Sequence, residues 1–185
     1  MNKETKEILD YETKEYKHRK SIIDRIFGIF TKGLNSQLYC LLHYYRKYIY
    51  YCNENKNIIL KLIYEKLYRK YAIRTNCEIY AKKIGKGLRL YHGGIIIGAN
   101  TIIKENVKFH GHNCVGNNGF TKEEPVIGNN VNIGVGAVII GNIELADNIV
   151  VGANSVVTKS FIKPGVVIAG NPARIIKESL VNEKK

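Results

Sequence analysis

The 185-residue chain has only three prolines and four cysteines, and both scarcities exclude something. So few prolines rule out a collagen-like repeat or long proline-rich linkers. The cysteines, Cys40, Cys52, Cys77 and Cys114, form no CxxC pair, which argues against a thiolate metal site and against the dense disulfide framework of a small secreted scaffold. Reduced, structural thiols are the expectation. No window approaches eighteen uncharged apolar residues, so no membrane span is expected. The N-terminus, MNKETKEILDYETKEYKHRK, lacks an apolar signal core, which points to a cytoplasmic location. Acidic residues are also scarce, 16 against 29 Lys and Arg. The imbalance is local: residues 1–75 hold 16 basic and 8 acidic residues, whereas 90–160 hold 4 and 5. A basic excess that vanishes mid-chain argues against nucleic acid as a partner and for phosphates or an anionic surface met at particular places.

What is present suits a globular protein: 45% hydrophobic and 24% charged residues, on a chain long enough to bury a core. Composition divides it near residue 75. Eleven of the thirteen tyrosines precede that point, while every glycine except Gly28 and Gly33 follows residue 84. In the first part apolar residues recur at helical spacing, as Ile22, Ile23, Ile26, Phe27 and Phe30, then Leu38, Leu41, Leu42, Tyr45, Tyr48, Ile49 and Cys52, then Ile59, Leu60, Ile63, Leu67 and Tyr71. Three helices are predicted, broken at Gly28–Gly33 and Asn53–Asn57. Such stripes ordinarily pack into a core. The alternative for LYCLLHYYRKYIYYC, 38–52, is peripheral association with a membrane surface.

The second part repeats every six residues. Ile97, Ile103, Phe109 and Val115 share one phase with Ile127, Ile133, Ile139, Leu145, Val151 and Val157, and Thr121 is the one exception. A small or polar residue often follows, and a further Thr, Val, Ala, Ile or Ser often stands four places on, as in Thr101, Val107, Val131, Ala137, Ile143, Ile149 and Ser155. A shorter run, Ile84, Leu90 and Ile96, is offset by one residue, the slip falling at Tyr91-His92-Gly93-Gly94. Period six suits neither a lone helix nor an alternating strand. It suits a solenoid whose six-residue sides each turn one large side chain inward and place a small residue at the corner.

On these residues, VIGNNVNIGVGAVIIGNIELADNIVVGANSVVTK resembles the hexapeptide repeat of left-handed parallel β-helix acyltransferases. Ile162–Ile176 resembles that family's closing strand, with its GxPA turn into a short helix. The resemblance implies a mainly β fold of about five triangular coils, with the helical part as an N-terminal appendage. The expected divisions are 1–75 helical, 76–177 the left-handed β-helix acetyltransferase domain, and 178–185 a C-terminal tail.

Two segments interrupt the repeat, and interruptions in a self-packing solenoid mark sites. The first, Gly85–Gly98, carries His92, which aligns with the catalytic histidine of the serine acetyltransferase branch. An imidazole can take a proton from an attacking hydroxyl and return it to a departing thiolate. Where that branch has aspartates, this chain has Cys77 and Tyr91, and where it has a second histidine, this chain has Glu124. Glu124, Glu78 or a backbone carbonyl is left to orient the imidazole. The second interruption, Gly116–Pro125, matches a loop that helps enclose acceptor and thioester. His110 and His112 precede it, without enough further ligands for a metal, and no metal is expected.

The resemblance further implies acetyl-CoA as co-substrate, contacting Gly116, Asn117, Val135 and Ala153, with Lys159 and Arg174 toward its phosphates. A homotrimer is implied too, because one chain would leave half a site. Two small-molecule or glycan acceptors compete. Free L-serine needs partners for an ammonium and a carboxylate, which the lost aspartates no longer supply. A sugar hydroxyl, as in surface polysaccharide biosynthesis, is the preferred expectation, with serine O-acetylation as the alternative. A β-helix scaffold without activity is the reading outside the enzyme class.

Overall fold

A computed structural model describes residues 1–18, 34–55 and 57–178. The chain forms two compact units, Met1–Cys77 and Glu78–Lys185.

The first unit has helices α1 (Lys3–His18), α2 (Leu34–Tyr50) and α3 (Ile58–Thr75), with a π-helical turn at Tyr51–Asn55. α1 was not anticipated from the spacing, and the Ile22–Phe30 stripe lies outside the described residues. The break before α3 is built by Asn57, whose side-chain oxygen accepts from Leu60 N at 3.1 Å as an N-cap. Leu38, Leu41, Leu42 and Tyr45 of α2 are buried. That buries the apolar face which the membrane-surface reading of 38–52 would need exposed. Tyrosines fill the α2–α3 contact: Tyr48 lies parallel to Tyr68 at 6.2 Å, and Tyr44 stacks on Tyr71 at 5.5 Å. Arg46 of α2 grips Glu12 of α1 through two hydrogen bonds of 2.8 and 2.6 Å. Among the described residues no helix is long and apolar enough to cross a membrane.

The second unit is a three-sided parallel β-helix. Its first coil is β1 (Glu78–Ile79), β2 (Lys83–Ile84) and β3 (Arg89–Leu90), and its second β4 (Ile96–Ile97), β5 (Ile102–Ile103) and β6 (Lys108–Phe109). Then follow β7 (Cys114–Gly116), β8 (Val126–Ile127) and β9 (Asn132–Ile133), and β10 (Val138–Ile140), β11 (Glu144–Leu145) and β12 (Val150–Val151). The last coil has β13 (Val156–Val157), β14 (Val167–Gly170) and β15 (Ala173–Lys177). Sheet I stacks β1-β4-β7-β10-β13, sheet II β2-β5-β8-β11, and sheet III β3-β6-β9-β12-β14-β15.

The phase residues Ile97, Ile103, Phe109, Val115, Ile127, Ile133 and Ile139 all point inward. So do Thr101, Val107, Val131, Ala137, Ile149 and Ser155, four places on. Each side therefore turns in two residues, not one. Three expectations change. Ile96 is 47% exposed, since the run beginning at Ile84 re-enters the main phase at Ile97. Thr121 keeps phase only by number: β7 and β10 pair 24 residues apart where β4 and β7 pair 18 apart, so the loop inserts one whole six-residue side. Finally, Ala173–Lys177 is no helix but an antiparallel strand on β14, which covers the last parallel edge of sheet III.

Candidate active site

Three edges separate the three sheets, and the candidate residues distribute among them. The II/III edge is closed by asparagines in left-handed backbone, Asn106, Asn130 and Asn148, whose side chains bond from coil to coil at 3.3 and 3.2 Å. Asparagine tolerates that backbone at little cost. This edge is structural.

His92 stands on the III/I edge, in the turn between β3 and β4. Here one side is a residue longer: the inward residues Leu90 and Ile97 are seven apart, where Ile97, Ile103 and Phe109 follow at six. Two glycines make the widened turn possible. A Cβ on Gly111 would lie 2.6 Å from His92 Cβ, and one on Gly94 would lie 2.7 Å from His112 Nδ1. His92 and His112 are both exposed on successive turns, joined through His112 N and Gly93 O at 3.0 Å. His110 is engaged otherwise: Tyr91 stacks on its ring at 4.7 Å, and its Nε2 lies 2.7 Å from the Asn132 amide oxygen. That leaves His92 and His112 as the solvent-facing imidazoles of this edge. Of the two positions where the serine enzymes have aspartate, Cys77 is buried with its thiol on Thr75 O, and Tyr91 is held in the stack. Glu78 is the carboxylate placed at the foot of this edge, exposed on β1 opposite Ile96.

Glu124 is on a different edge, I/II, between β7 and β8. Its carboxylate is 8% exposed and occupied. Oε2 accepts from Asn100 N at 3.0 Å and Thr101 Oγ1 at 2.8 Å, and Oε1 from Asn117 Nδ2 at 3.4 Å. Within one chain the structure does not bring Glu124 to His92, so Glu124 does not orient that imidazole here. The loop itself is exposed, Phe120 at 94%.

The residues expected to contact coenzyme A fall into two sets on opposite borders of sheet I. Val135 and Ala153 stack one coil apart on the III/I edge above His92, with Asn154 N donating to Val135 O at 2.8 Å, and Arg174 on β15 lies beside its upper end. Gly134 and Gly152 admit the close packing there. Gly116, Asn117 and Lys159 lie toward the I/II edge, where a Cβ on Gly116 would meet nothing within 4 Å. Lys159 Nζ sits 5.6 Å from the centre of the Phe161 ring. Between the two borders, the outward row of sheet I is apolar: Ile96, Cys114, Val138 and Val156. Burial pushes the Cys114 thiol pKa up, so it stays protonated at neutral pH and is no nucleophile. Among the described residues no three His, Cys, Asp or Glu side chains cluster as metal ligands. Sequence reasoning missed the Gly98–Asn100–Thr101 niche that holds Glu124; its only signal was that Gly98 and Thr101 both belong to the repeat.

A comparison with protein-family models finds no match. A serine acetyltransferase of Buchnera aphidicola subsp. Schizaphis graminum is 44% identical over 102 residues, 53% of this chain and 39% of that protein. One of Staphylococcus aureus (strain Mu50) is 39% identical over 115 residues, 60% of this chain and 54% of that protein. The chain thus spans about half or less of the length of these curated relatives. The crystal structure of a Brucella abortus serine acetyltransferase in complex with coenzyme A superposes with a TM-score of 0.72 at 25% identity, covering 96% of this chain and 70% of that one. That coverage extends over both units of the chain. With the repeat and the three stacked sheets, these likenesses fit the hexapeptide-repeat acyltransferases and their left-handed parallel β-helix.

Proposed function

We propose that the chain is an acetyl-CoA-dependent O-acetyltransferase whose acceptor is L-serine. The observation that carries this is the identity of 44% and 39% to serine acetyltransferases over 102 and 115 residues, together with the likeness to a coenzyme A complex. In the reaction, His92 takes the acceptor hydroxyl proton as the oxygen attacks the thioester carbonyl. The C–O bond forms, the C–S bond breaks, and the imidazolium returns the proton to the departing thiolate. Glu78, at the foot of the same edge, is the carboxylate available to an acceptor ammonium. The two borders of sheet I each carry half of the candidate contacts, which supports a trimer in which the III/I edge of one copy faces the I/II edge of another.

A second reading, a sugar hydroxyl as acceptor, is favoured by one observation. The positions that supply aspartates in the serine enzymes hold a buried thiol, Cys77, and a stacked phenol, Tyr91, which leaves an ammonium fewer partners. Thiol release from acetyl-CoA, measured with L-serine and with a panel of free and nucleotide-linked sugars, separates the two. Serine turnover with a specificity constant of at least about 10⁴ M⁻¹s⁻¹ is expected. A panel sugar that reaches this value while serine does not would replace serine as the acceptor.

A further inference from the structure

Glu124 stands where the serine enzymes have a histidine, yet nothing in its surroundings resembles an acid–base site. Its carboxylate is enclosed, and all three of its hydrogen bonds are to groups of its own loop and the turn beneath. Gly98 completes the niche: a Cβ there would overlap both carboxylate oxygens. The two sides of the niche come from segments 24 residues apart, the β4–β5 turn and the end of the inserted loop. A further bond ties them, Asn100 Nδ2 to Lys122 O at 2.8 Å. Nearer the loop tip, contacts are internal: Asn117 Oδ1 accepts from Gly119 N, and Asn118 Oδ1 from Phe120 N.

We infer that Glu124 is a positioning residue, a latch that fixes the 117–123 loop on the I/II edge and so sets the acceptor subsite without touching the reacting atoms. A carboxylate suits this point because it accepts from a backbone N–H, a hydroxyl and an amide at once, in a space left free by the absence of a Cβ at position 98. A neutral apolar side chain would strand three donors. This role rests on the acetyl-transfer reading above.

The test is made on the full chain. Glu124→Ala should raise the acceptor KM about ten- to a hundredfold, because a misplaced loop costs binding geometry. The kcat at saturation of both substrates and the pH–rate profile should stay nearly unchanged. Glu124→Gln keeps an oxygen for Asn100 and Thr101 and should recover most of the lost affinity. Gly98→Ala, which fills the niche with Glu124 intact, should reproduce the Glu124→Ala defect, and the double variant should be no worse than either single one. Tryptic cleavage after Lys122 should accelerate in Glu124→Ala and Gly98→Ala and not in Glu124→Gln. An unchanged acceptor KM with a lowered kcat and a lost limb of the pH–rate profile would make Glu124 an acid or base and overturn the latch. Equal cleavage at Lys122 in all variants would also overturn it. If the wild-type protein releases no thiol with any acceptor, the acetyl-transfer reading fails, and cleavage at Lys122 decides the latch alone.

Discussion

The helical and β-helical units bury apolar surface by opposite means. In the β-helix each inward side chain rests on its equivalent one coil away, Ile97 on Val115 and Val138's neighbour Ile139 on Val157, so a position's environment repeats along the axis. Among the described residues of the helical unit the contacts are particular: a bidentate ion pair, stacked tyrosines, a capping asparagine. Repetition spreads the core evenly and leaves the edges free to vary, which is where the candidate chemistry sits. In α3 the division runs along one helix instead, with Tyr68 and Tyr71 buried and Ile59, Leu62 and Ile63 exposed.

The largest expected effect sharpens this contrast. His92→Ala should cut turnover by about 10²–10⁴-fold while thermal unfolding stays unchanged, because an exposed edge residue carries no packing. Equal loss of activity and stability would show that the edge is not separable from the core. Next, Phe109→Ala in the coil interior should lower stability by about 3–5 kcal/mol in denaturant titration, since neighbouring coils cannot close on the cavity. In the helical unit, Arg46→Ala should cost about 3 kcal/mol by leaving Glu12 buried without its partner, whereas Glu12→Leu with Arg46→Leu should return to within about 1 kcal/mol of wild type. A double variant as unstable as the single one would show that the pair itself, and not its desolvation, holds α1 to α2.

The smallest effect is a pH dependence confined to α2. Burial, with a lesser contribution from Lys47, lowers the His43 pKa from 6.5 to about 4, and its Nδ1 has no hydrogen-bond partner. The unfolded chain therefore takes up the proton first, so this contribution is fully present above pH 6.5 and is lost as the pH falls toward 4. His43→Phe should flatten the slope of stability against pH between those values; an unchanged slope would assign it to other groups.

The two units were not equally legible. Stacked coils convert an inward position into a fixed interval, so Ile127 through Val157 could be placed by counting. The same arithmetic located the slip at His92, because one additional residue shifts every later position. The inserted loop leaves the phase of Ile127 intact and showed only as the break at Thr121, and the spacing could not reveal that Glu124 turns back onto Thr101 rather than outward. The helix at Lys3–His18 escaped notice because its sequence, KETKEILDYETKEYKH, is mostly charged and is held by Leu9 and the Glu12–Arg46 pair rather than by a long apolar stripe.

The stacking of turns along the III/I edge also works as a ruler. From the turn that carries His92 to the one at Gly170 there are four steps, each one strand spacing of roughly 4.8 Å, which sets the span at about 19 Å. Such a scale cannot be stretched; it can only be lengthened by a whole coil. A change in the reach of a substrate along this edge would therefore arrive in the gene as an insertion or deletion of about three hexapeptides, and point substitutions would leave the length untouched.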